Sequence, residues 1–395
     1  MFVRTQKSDC PASFPFPFRP YSIQDQFMRS LYSVIENRKI GIFESPTGTG
    51  KTLSLMCSAL KWLNDHNELT RLDLEDKIQK LELEIKGIEE KNAKSIDWLS
   101  GQFDSLQKKE VLNRLRDQLG SMNEYELKVN EMRKKWKNQC QKRTQTNKTK
   151  KKFTESKELL DEIENANEKV VLDDAELIIE DIEVDEMDNF DEIEDAVEKR
   201  FQDTKIYFCS RTHSQLSQAI NEIKKTIYGS SIRIIQMASR QQLCINPEVR
   251  HLKSNALINE RCLELKKGKS KSTCCQQTKQ TQADSDGRSI KRSKVTKAKS
   301  TSCPFYAQAA IQNVSELALY NAESIMDIED LVEIAKEEKG CPYYAARNAA
   351  KDAQVIMLPY QMLLHKKTRD QLDINVKDSI VIIDEAHNLL DTIAS

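Results

Sequence analysis

Residues 43–52 constrain the fold of this chain more than any other stretch. They read Phe-Glu-Ser-Pro-Thr-Gly-Thr-Gly-Lys-Thr, continue the apolar run 40–43 and lead into the apolar residues 53–57. This order predicts a short buried strand, a glycine-bearing loop and a helix. Glycine lets successive backbone N–H groups converge on phosphate oxygens, whose charge Lys51 would neutralise. We therefore predict a nucleotide-phosphate loop, the P-loop.

The strict form of this motif, G-x-x-x-x-G-K-[ST], has glycine where this chain has Ser45. Thr52 would place its hydroxyl on Mg²⁺ at the start of the helix. An ordinary strand-to-helix turn is the alternative interpretation. The predicted phosphate-binding set is Ser45, Pro46, Thr47, Gly48, Thr49, Gly50, Lys51 and Thr52.

The composition indicates that part of the chain does not bury a core. Apolar residues make up 38% of its 395 residues, against about 45–50% in ordinary globular domains, and charged residues make up 31%. This length allows two or three domains. No secretory signal opens the chain and no apolar run approaches the ~18 residues of a membrane span, so we expect no membrane association. Without a secretory signal we expect a reducing cytosolic or nuclear setting. Clustered cysteines there favour metal or cluster binding over disulfides.

Residues 64–200 read as a charged insertion, helical first and largely disordered later. A short heptad seam predicts a helical hairpin; its members are Leu74, Ile78, Leu81, Ile85 and Ile88. Ten basic and no acidic residues lie within 133–152, and twenty acidic residues lie within 155–198. Such blocks are typical of solvated, mobile segments, although the basic one could touch phosphates.

Four further apolar runs predict strands at 205–210, 231–237, 354–358 and 379–383. Because helical patterns alternate with them, we expect an α/β fold with a parallel sheet. The last strand delivers Asp-Glu-Ala-His, residues 384–387, to its carboxyl end, where open parallel sheets bind ligands. Asp384 would hold Mg²⁺, and Glu385 would orient and deprotonate the attacking water.

Two other residues are candidates for the same site. His387 could contact whatever senses the nucleotide. Gln24, in the first turn of a predicted helix, could pair its amide with an adenine edge; a surface glutamine is the alternative interpretation.

Four single cysteines on separate segments form a second constellation: Cys244, Cys262, Cys303 and Cys341. They lack the C-x₂₋₄-C pairs of zinc modules and suit the four corners of an iron–sulfur cluster. Unliganded buried thiols are the alternative. Cys274 and Cys275 lie in a polar loop and are left out. The basic loop 263–300 could hold a nucleic-acid backbone or simply be mobile.

Together these segments resemble the iron–sulfur DNA helicases of superfamily two, in the xeroderma pigmentosum group D branch. The matching segments, in the family's order, are 21–24, 45–52, 210–215, the four cysteines and 384–387. Within the branch the chain is similar to the sister-chromatid-cohesion subgroup of DEAH helicases. The segments that carry this similarity are 14–18, 42–51, 240–244, 341–344, 358–365 and 382–389.

The resemblance implies an ATP-dependent 5′→3′ DNA helicase with a RecA-like first motor lobe. Lys51, Thr52, Asp384 and Glu385 would bind ATP and Mg²⁺ and serve hydrolysis, and Gln24 would read adenine. The four cysteines would ligate a structural 4Fe–4S cluster. Three residues would lie near the DNA strand: Arg211, Thr212 and His213. The resemblance also implies a monomer in the nucleus that acts on single-stranded and forked DNA with replication-fork and cohesion proteins.

These interpretations divide the chain into five parts. The first motor lobe would comprise 1–63, 204–240 and 346–395, interrupted by the insertion 64–200 and by a cluster domain at 241–345. The chain stops eight residues past His387, so the family's remaining first-lobe strand, arch domain and second motor are absent from it. We therefore expect residues 1–395 to show no DNA-stimulated ATP hydrolysis and no unwinding.

Two other classes of function remain open at this point. A P-loop ATPase with a structural zinc module could remodel protein, and metal analysis for iron, sulfide and zinc separates it from a helicase. A non-enzymatic interaction fragment could use the charged insertion to recruit a partner, and deletion of 64–200 tests that role.

Overall fold

The computed structural model describes residues 7–46, 48–92, 98–151, 204–267, 302–321, 325–372 and 374–394. The later part of the predicted insertion and most of the basic loop 263–300 lie outside these ranges, so the predictions made for them stay predictions. Within the described ranges, none of the helices combines the length and the apolar character needed to cross a lipid bilayer.

A parallel four-stranded sheet forms the centre of the structure. Its strands are β1 (Ile206–Ser210), β2 (Ile234–Gln236), β3 (Val355–Pro359) and β4 (Ile380–Ile383), in the order β2-β3-β1-β4. Ile206 of β1 is level with Val355 on one side and with Ile380 on the other. The four strands and their parallel direction confirm the prediction, with ends that shift by one to three residues.

Each face of the sheet packs against helices, which explains why β1 and β3 are buried at every position. One face presents Ile206, Phe208 and Met357 to a core that includes Met28 and Leu60. The other face presents alternate residues of the same strands to a second core. Because side chains alternate along a strand, two separate cores form on one sheet.

Thirteen α-helices surround the sheet in the described residues. The first group comprises α1 (Ser22–Glu36), α2 (Lys51–Asn92), α3 (Trp98–Lys151) and α4 (His213–Lys224). The second comprises α5 (Arg240–Leu243), α6 (Pro247–Arg250), α7 (Asn255–Lys267), α8 (Gln308–Tyr320), α9 (Ile328–Glu338) and α10 (Pro342–Asp352). The last comprises α11 (Tyr360–Leu364), α12 (Lys366–Gln371) and α13 (Leu389–Ala394).

The strand predicted at 40–43, ahead of the P-loop, is wrong. These residues are irregular, and the side chains of Ile40 and Ile42 are almost fully exposed. A cavity of about 1370 Å³ separates them from β4, whose Val381 is also exposed. Since the segment does not reach β4, it has no neighbouring backbone with which to form a hydrogen-bonded ladder.

Helices α2 and α3 form the predicted hairpin, and the boundary predicted at residue 63 falls inside α2 and stays a prediction. Helix α2 runs without a break from the P-loop through Leu63, which is fully buried in the core on one face of the sheet. The arms meet through Ile78, Ile85 and Leu112, with partly buried leucines beside them. Ion pairs such as Lys108–Glu84 cross between the arms, yet exposed pairs contribute only about 0–1 kcal/mol each. The apolar seam therefore holds the hairpin together.

The basic block 133–152 departs from the predicted solvated, mobile segment. Its residues up to 151 continue α3, and Trp136 is only 1% exposed. Burial of this one aromatic side chain orders a stretch whose charge predicted mobility, because a Trp buries about 150–250 Å². Helices α5 and α10 also cross the predicted boundaries at 240 and 345.

Candidate nucleotide site and cysteine module

The P-loop forms a compact turn directly before α2, held by contacts between its two ends. Gly48 and Gly50 have φ of +80° and +68°, in the left-handed region that favours glycine. The ammonium of Lys51 donates to the carbonyl oxygen of Ser45 at 3.1 Å, which folds the lysine back over the loop. Thr47 lies outside the described residues. The loop thus has the backbone that a phosphate cradle requires.

Ser45 stands at the position that the strict motif gives to glycine, and the structure gives it a role. Its hydroxyl is hydrogen-bonded to that of Thr49 at 2.7 Å, and Thr49 Oγ1 lies 2.9 Å from the carbonyl oxygen of Pro46, to which it donates. These bonds join the two ends of the loop. The departure at residue 45 therefore adds a side-chain contact that glycine could not supply.

The acidic pair reaches the P-loop from the end of β4. The backbone N–H of Asp384 donates to Cys209 O at 2.8 Å, and Glu385 then adopts a left-handed φ of +52°. This turn brings Glu385 Oε1 to 4.0 Å from Lys51 Nζ, and it places the carboxylate of Asp384 near the side chain of Thr52, which acts to lower the pKa of that carboxylate. The structure thus brings together the residues predicted for Mg²⁺ and hydrolysis.

The environment of Asp384 suits a bound cation. Burial raises the pKa of its carboxyl group, the neighbouring Glu385 raises it further, and the N–H of Glu385, Lys51 and Thr52 only partly oppose these effects. A hydroxyl and a buried carboxylate are oxygen ligands of the kind that Mg²⁺ prefers. His387 is exposed, with Nδ1 3.3 Å from Glu385 Oε2.

Tyr360 is a site residue to which the sequence reasoning gave no role. Its hydroxyl donates to the backbone oxygen of Asp384 and lies 3.1 Å from that of Glu385. Burial and the two carboxylates raise the pKa of Tyr360 to about 12, so the hydroxyl keeps its proton. The available signal was its place directly after β3, since carboxyl ends of parallel strands share one sheet edge.

Gln24 contacts the P-loop directly and is buried, so the interpretation as a surface glutamine is wrong. Its Nε2 donates to Thr49 O at 2.8 Å, and its Oε1 accepts from the backbone N–H of Tyr21 at 2.9 Å. The amide therefore ties α1 to the loop. A small pocket lies beside it, lined in part by Phe27 and Phe43. Adenine recognition by Gln24 stays a prediction.

The three residues predicted near DNA differ in their surroundings. Thr212 caps α4, with its hydroxyl accepting from Gln215 N at 3.3 Å. His213 is 8% exposed and packs against Gln236. Arg211 is exposed and donates to Asn388 Oδ1 at 3.3 Å. Arg211 is thus exposed, Thr212 half-buried and His213 buried.

The four predicted cysteines lie in one neighbourhood formed by α5–α7 and α10. Cys244, Cys262 and Cys303 pack on a small core, and Cys341 precedes α10 as its N-cap. Burial raises the pKa of Cys341 to about 12, and Cys262 and Cys244 act in the same direction. Burial raises the pKa of Cys244 too, with Cys262 and Cys303 adding to it. Cys244, Cys262 and Cys303 thus share one small core, and the effects of Cys262 and Cys244 on the pKa of Cys341 agree with a place beside it.

Groups around the thiols suit an anionic thiolate cluster. Asn246 Nδ2 donates to Cys303 Sγ at 3.6 Å. The buried guanidinium of Arg240 stacks on Tyr343 at 4.3 Å. Burial alone would lower the pKa of Arg240, but its tyrosine neighbours and Cys262 raise it overall. Thiolates with N–H donors and a cation nearby fit iron–sulfur ligation. Within the described ranges, no three His, Cys, Asp or Glu side chains are close enough to hold a single metal ion.

Comparison with known proteins agrees with this arrangement. Residues 208–395 match the DEAD_2 family. The zebrafish ATP-dependent DNA helicase DDX11 is 38% identical over 396 residues, which are 97% of this chain and 42% of the relative. The fission yeast ATP-dependent DNA helicase chl1 is 36% identical, over 97% of this chain and 43% of the relative. The nematode Caenorhabditis elegans ATP-dependent DNA helicase chl-1 is 34% identical, with the same two shares.

A solved XPD helicase structure covers 47% of this chain and 25% of its own, with a TM-score of 0.28 and 20% identity. This chain has a parallel sheet with a P-loop and an acidic pair at one edge, the arrangement of the α/β P-loop class of proteins. Residues 208–395 form a DEAD_2 domain, and the chain is homologous to DDX11 and Chl1. It spans less than half the length of the curated relatives it matches.

Proposed function

We propose that this chain is the nucleotide-binding part of an ATP-dependent DNA helicase that unwinds duplex DNA in the 5′→3′ direction. One observation carries the proposal: Lys51 and Thr52 meet Asp384 and Glu385 at one edge of the sheet. The curated relatives, named as ATP-dependent DNA helicases, support DNA as the substrate.

Each residue at this edge has a chemical role in the proposal. Lys51 and the N–H groups of the loop would neutralise the phosphates of ATP. Thr52 and Asp384 would hold Mg²⁺, which when bound neutralises phosphate charge. Glu385 would accept a proton from the attacking water, and Tyr360 would fix the turn that carries the acidic pair.

The cysteines extend the proposal to a cofactor. Cys244, Cys262, Cys303 and Cys341 would hold a 4Fe–4S cluster with a structural role. The protein would act as a monomer on single-stranded and forked DNA in the nucleus, with replication-fork and cohesion proteins. The proximity of the four thiols and the N–H donor at Cys303 support the cluster.

Nucleotide binding is tested on residues 1–395 with a fluorescent ATP analogue and Mg²⁺. We expect saturable binding that Glu385→Gln retains and Lys51→Ala loses. Unwinding is tested on forked DNA in a protein of the relatives' length that carries this chain, where both variants should be inactive. Equal analogue binding by the wild type and by Lys51→Ala would overturn the proposed site.

The cofactor is tested by metal analysis of protein purified without oxygen. We expect iron and acid-labile sulfide near four per chain, the content of one 4Fe–4S cluster. Replacing all four cysteines by serine should abolish both. Zinc as the sole metal would refute the cluster and leave the nucleotide site untouched.

A further inference from the structure

The hairpin of α2 and α3 packs against both faces of the sheet. The start of α2 places Met56, Leu60 and Leu63 in the core on one face. The far part of α3 places Val129 and Trp136 in the core on the other face. Its two arms are thus anchored on opposite sides of β1 and β3.

Trp136 is the principal anchor of α3. Its indole Nε1 donates to Glu316 Oε2 at 3.2 Å, and Lys135 Nζ donates to the same oxygen at 2.9 Å. Glu316, on α8, is only 8% exposed, and its other oxygen accepts from Gln312 at 3.0 Å. Both oxygens of one buried carboxylate are therefore engaged, one of them by α3.

Two further contacts extend this docking towards α10 and β2. The hydroxyl of Tyr125 donates to the carbonyl oxygen of Asp352, at the end of α10, at 3.4 Å, and its ring carries the guanidinium of Arg233 at 5.3 Å. Arg133 donates to the carbonyl oxygen of Ser231. The docked face of α3 thus spans from α8 to the loop before β2.

The hairpin connects two different candidate sites, the nucleotide site and the cysteine module. Helix α2 begins at Lys51, in the nucleotide site, and α10 begins directly after Cys341. Helices α8 and α10 pack against each other in the core that holds Trp136. The two packed helices α2 and α3 therefore link the P-loop to α8 and α10, and α10 begins directly after the fourth cysteine.

We propose that the hairpin is a brace that couples the nucleotide site to α8 and to α10, the helix that begins directly after Cys341. Through Trp136 and Glu316 it fixes α8 and α10, so that ordering of α2 by a bound nucleotide also orders these helices. This inference rests on the proposed function in one respect, that a nucleotide binds at Lys51.

Hydrogen exchange of residues 1–395, with and without Mg²⁺ and a non-hydrolysable ATP analogue, tests the brace. In the wild type, the analogue should slow exchange at the start of α2 and, by about fivefold, in α8 and α10. Trp136→Ala should keep the first effect and lose the second. Leu127→Ala, an exposed position on the same helix, is the matched control and should behave as the wild type.

Milder variants cover the case in which Trp136→Ala does not fold. Trp136→Phe keeps an aromatic ring without the indole N–H, and Glu316→Gln removes the charge that Lys135 contacts. Each should reduce the slowing in α8 and α10. Slowing confined to α2 in the wild type would refute the brace and leave the nucleotide site standing. Absence of any slowing at α2 would refute the proposed nucleotide site and the brace together.

Discussion

The ammonium of Lys51 lies 4.0 Å from the carboxylate of Glu385, across the edge of the sheet. Charged hydrogen bonds of this type close to about 2.7–2.9 Å, so this pair is held apart. The bond from Lys51 to the carbonyl of Ser45 keeps the lysine over the loop. Lysine and glutamate therefore face the same space, one placed for phosphate and the other for a water molecule.

Lys51→Ala should weaken the binding of an ATP analogue to residues 1–395 by at least about tenfold. The reason is that loss of a charge-assisted hydrogen bond to phosphate costs about 1.5–3 kcal/mol. Titration calorimetry measures the change. Lys80→Ala, exposed further along α2, should bind as the wild type does. Equal affinities for all three proteins would contradict a role for Lys51.

Asp384→Asn should stabilise residues 1–395 at neutral pH in the absence of Mg²⁺, by about 0.5–2 kcal/mol. Burial raises the pKa of Asp384 above its ordinary 3.8. The folded state then binds more protons than the unfolded state, so stability falls as pH rises through that window. Asparagine removes this cost. Thermal melts should show the gain at pH 7 and its disappearance near pH 3, and the exposed Asp104→Asn should show no gain.

Ile42→Ala should change the free energy of unfolding by less than about 0.5 kcal/mol, because Ile42 is already exposed. Ile206→Ala, in the fully buried β1, should cost about 2–5 kcal/mol. Denaturant titration of the two variants compares them directly. A similar large cost at both positions would show that 40–43 is buried in solution, as the sequence predicts.

The sheet was predictable because its strands are buried on both faces and read as apolar runs, as at 205–210 and 354–358. The same reasoning failed at 40–43, since an apolar run states a preference for burial and cannot supply the neighbouring strand. The buried Trp136 was equally inaccessible to sequence reasoning. Ten basic residues surround it, and the partner that buries it, Glu316, lies 180 residues away.

In the site, the residues with a local signature were predictable and those defined by tertiary contact were not. Lys51 and Asp384 follow from their motifs, and the structure brings them to one edge. Tyr360 contacts the backbone that follows β4, so only its place directly after β3 pointed to the site and no motif marks it. Thr212 and His213 belong to the sequence motif 210–215. In the structure Thr212 caps α4, and His213 makes a buried contact with Gln236.

Asn246→Ser should make the proposed 4Fe–4S cluster easier to lose and its reduction potential more negative. An N–H donor to a thiolate stabilises the more negative, reduced state, and Asn246 supplies one to Cys303. Serine can still cap α6, as the Asn246 carbonyl does for Glu248 N, but is too short for the sulfur. Voltammetry and iron content measure the effect. Asn348→Ser, an exposed amide bonded to Gln312, should change neither.

Arg211→Ala should weaken single-stranded DNA binding by a protein of the relatives' length and reduce its salt slope by about 1, the effect of losing one phosphate contact. His213→Ala should instead lower thermal stability, because His213 is buried against Gln236. Binding measured at several salt concentrations, beside thermal melts, separates the two. An unchanged salt slope in Arg211→Ala would remove it from the DNA path.

Helix α2 is uninterrupted from Lys51 into the hairpin. The number of residues between the P-loop and the seam around Ile78 therefore sets the direction in which that seam faces. Each residue added within α2 rotates everything beyond it by about 100° and advances it by about 1.5 Å. A single added residue would turn the seam around Ile78 away from α3, whereas seven, close to two full turns, would nearly restore its direction. We therefore expect this hairpin to tolerate added length in steps of about seven residues, with both arms growing by the same amount.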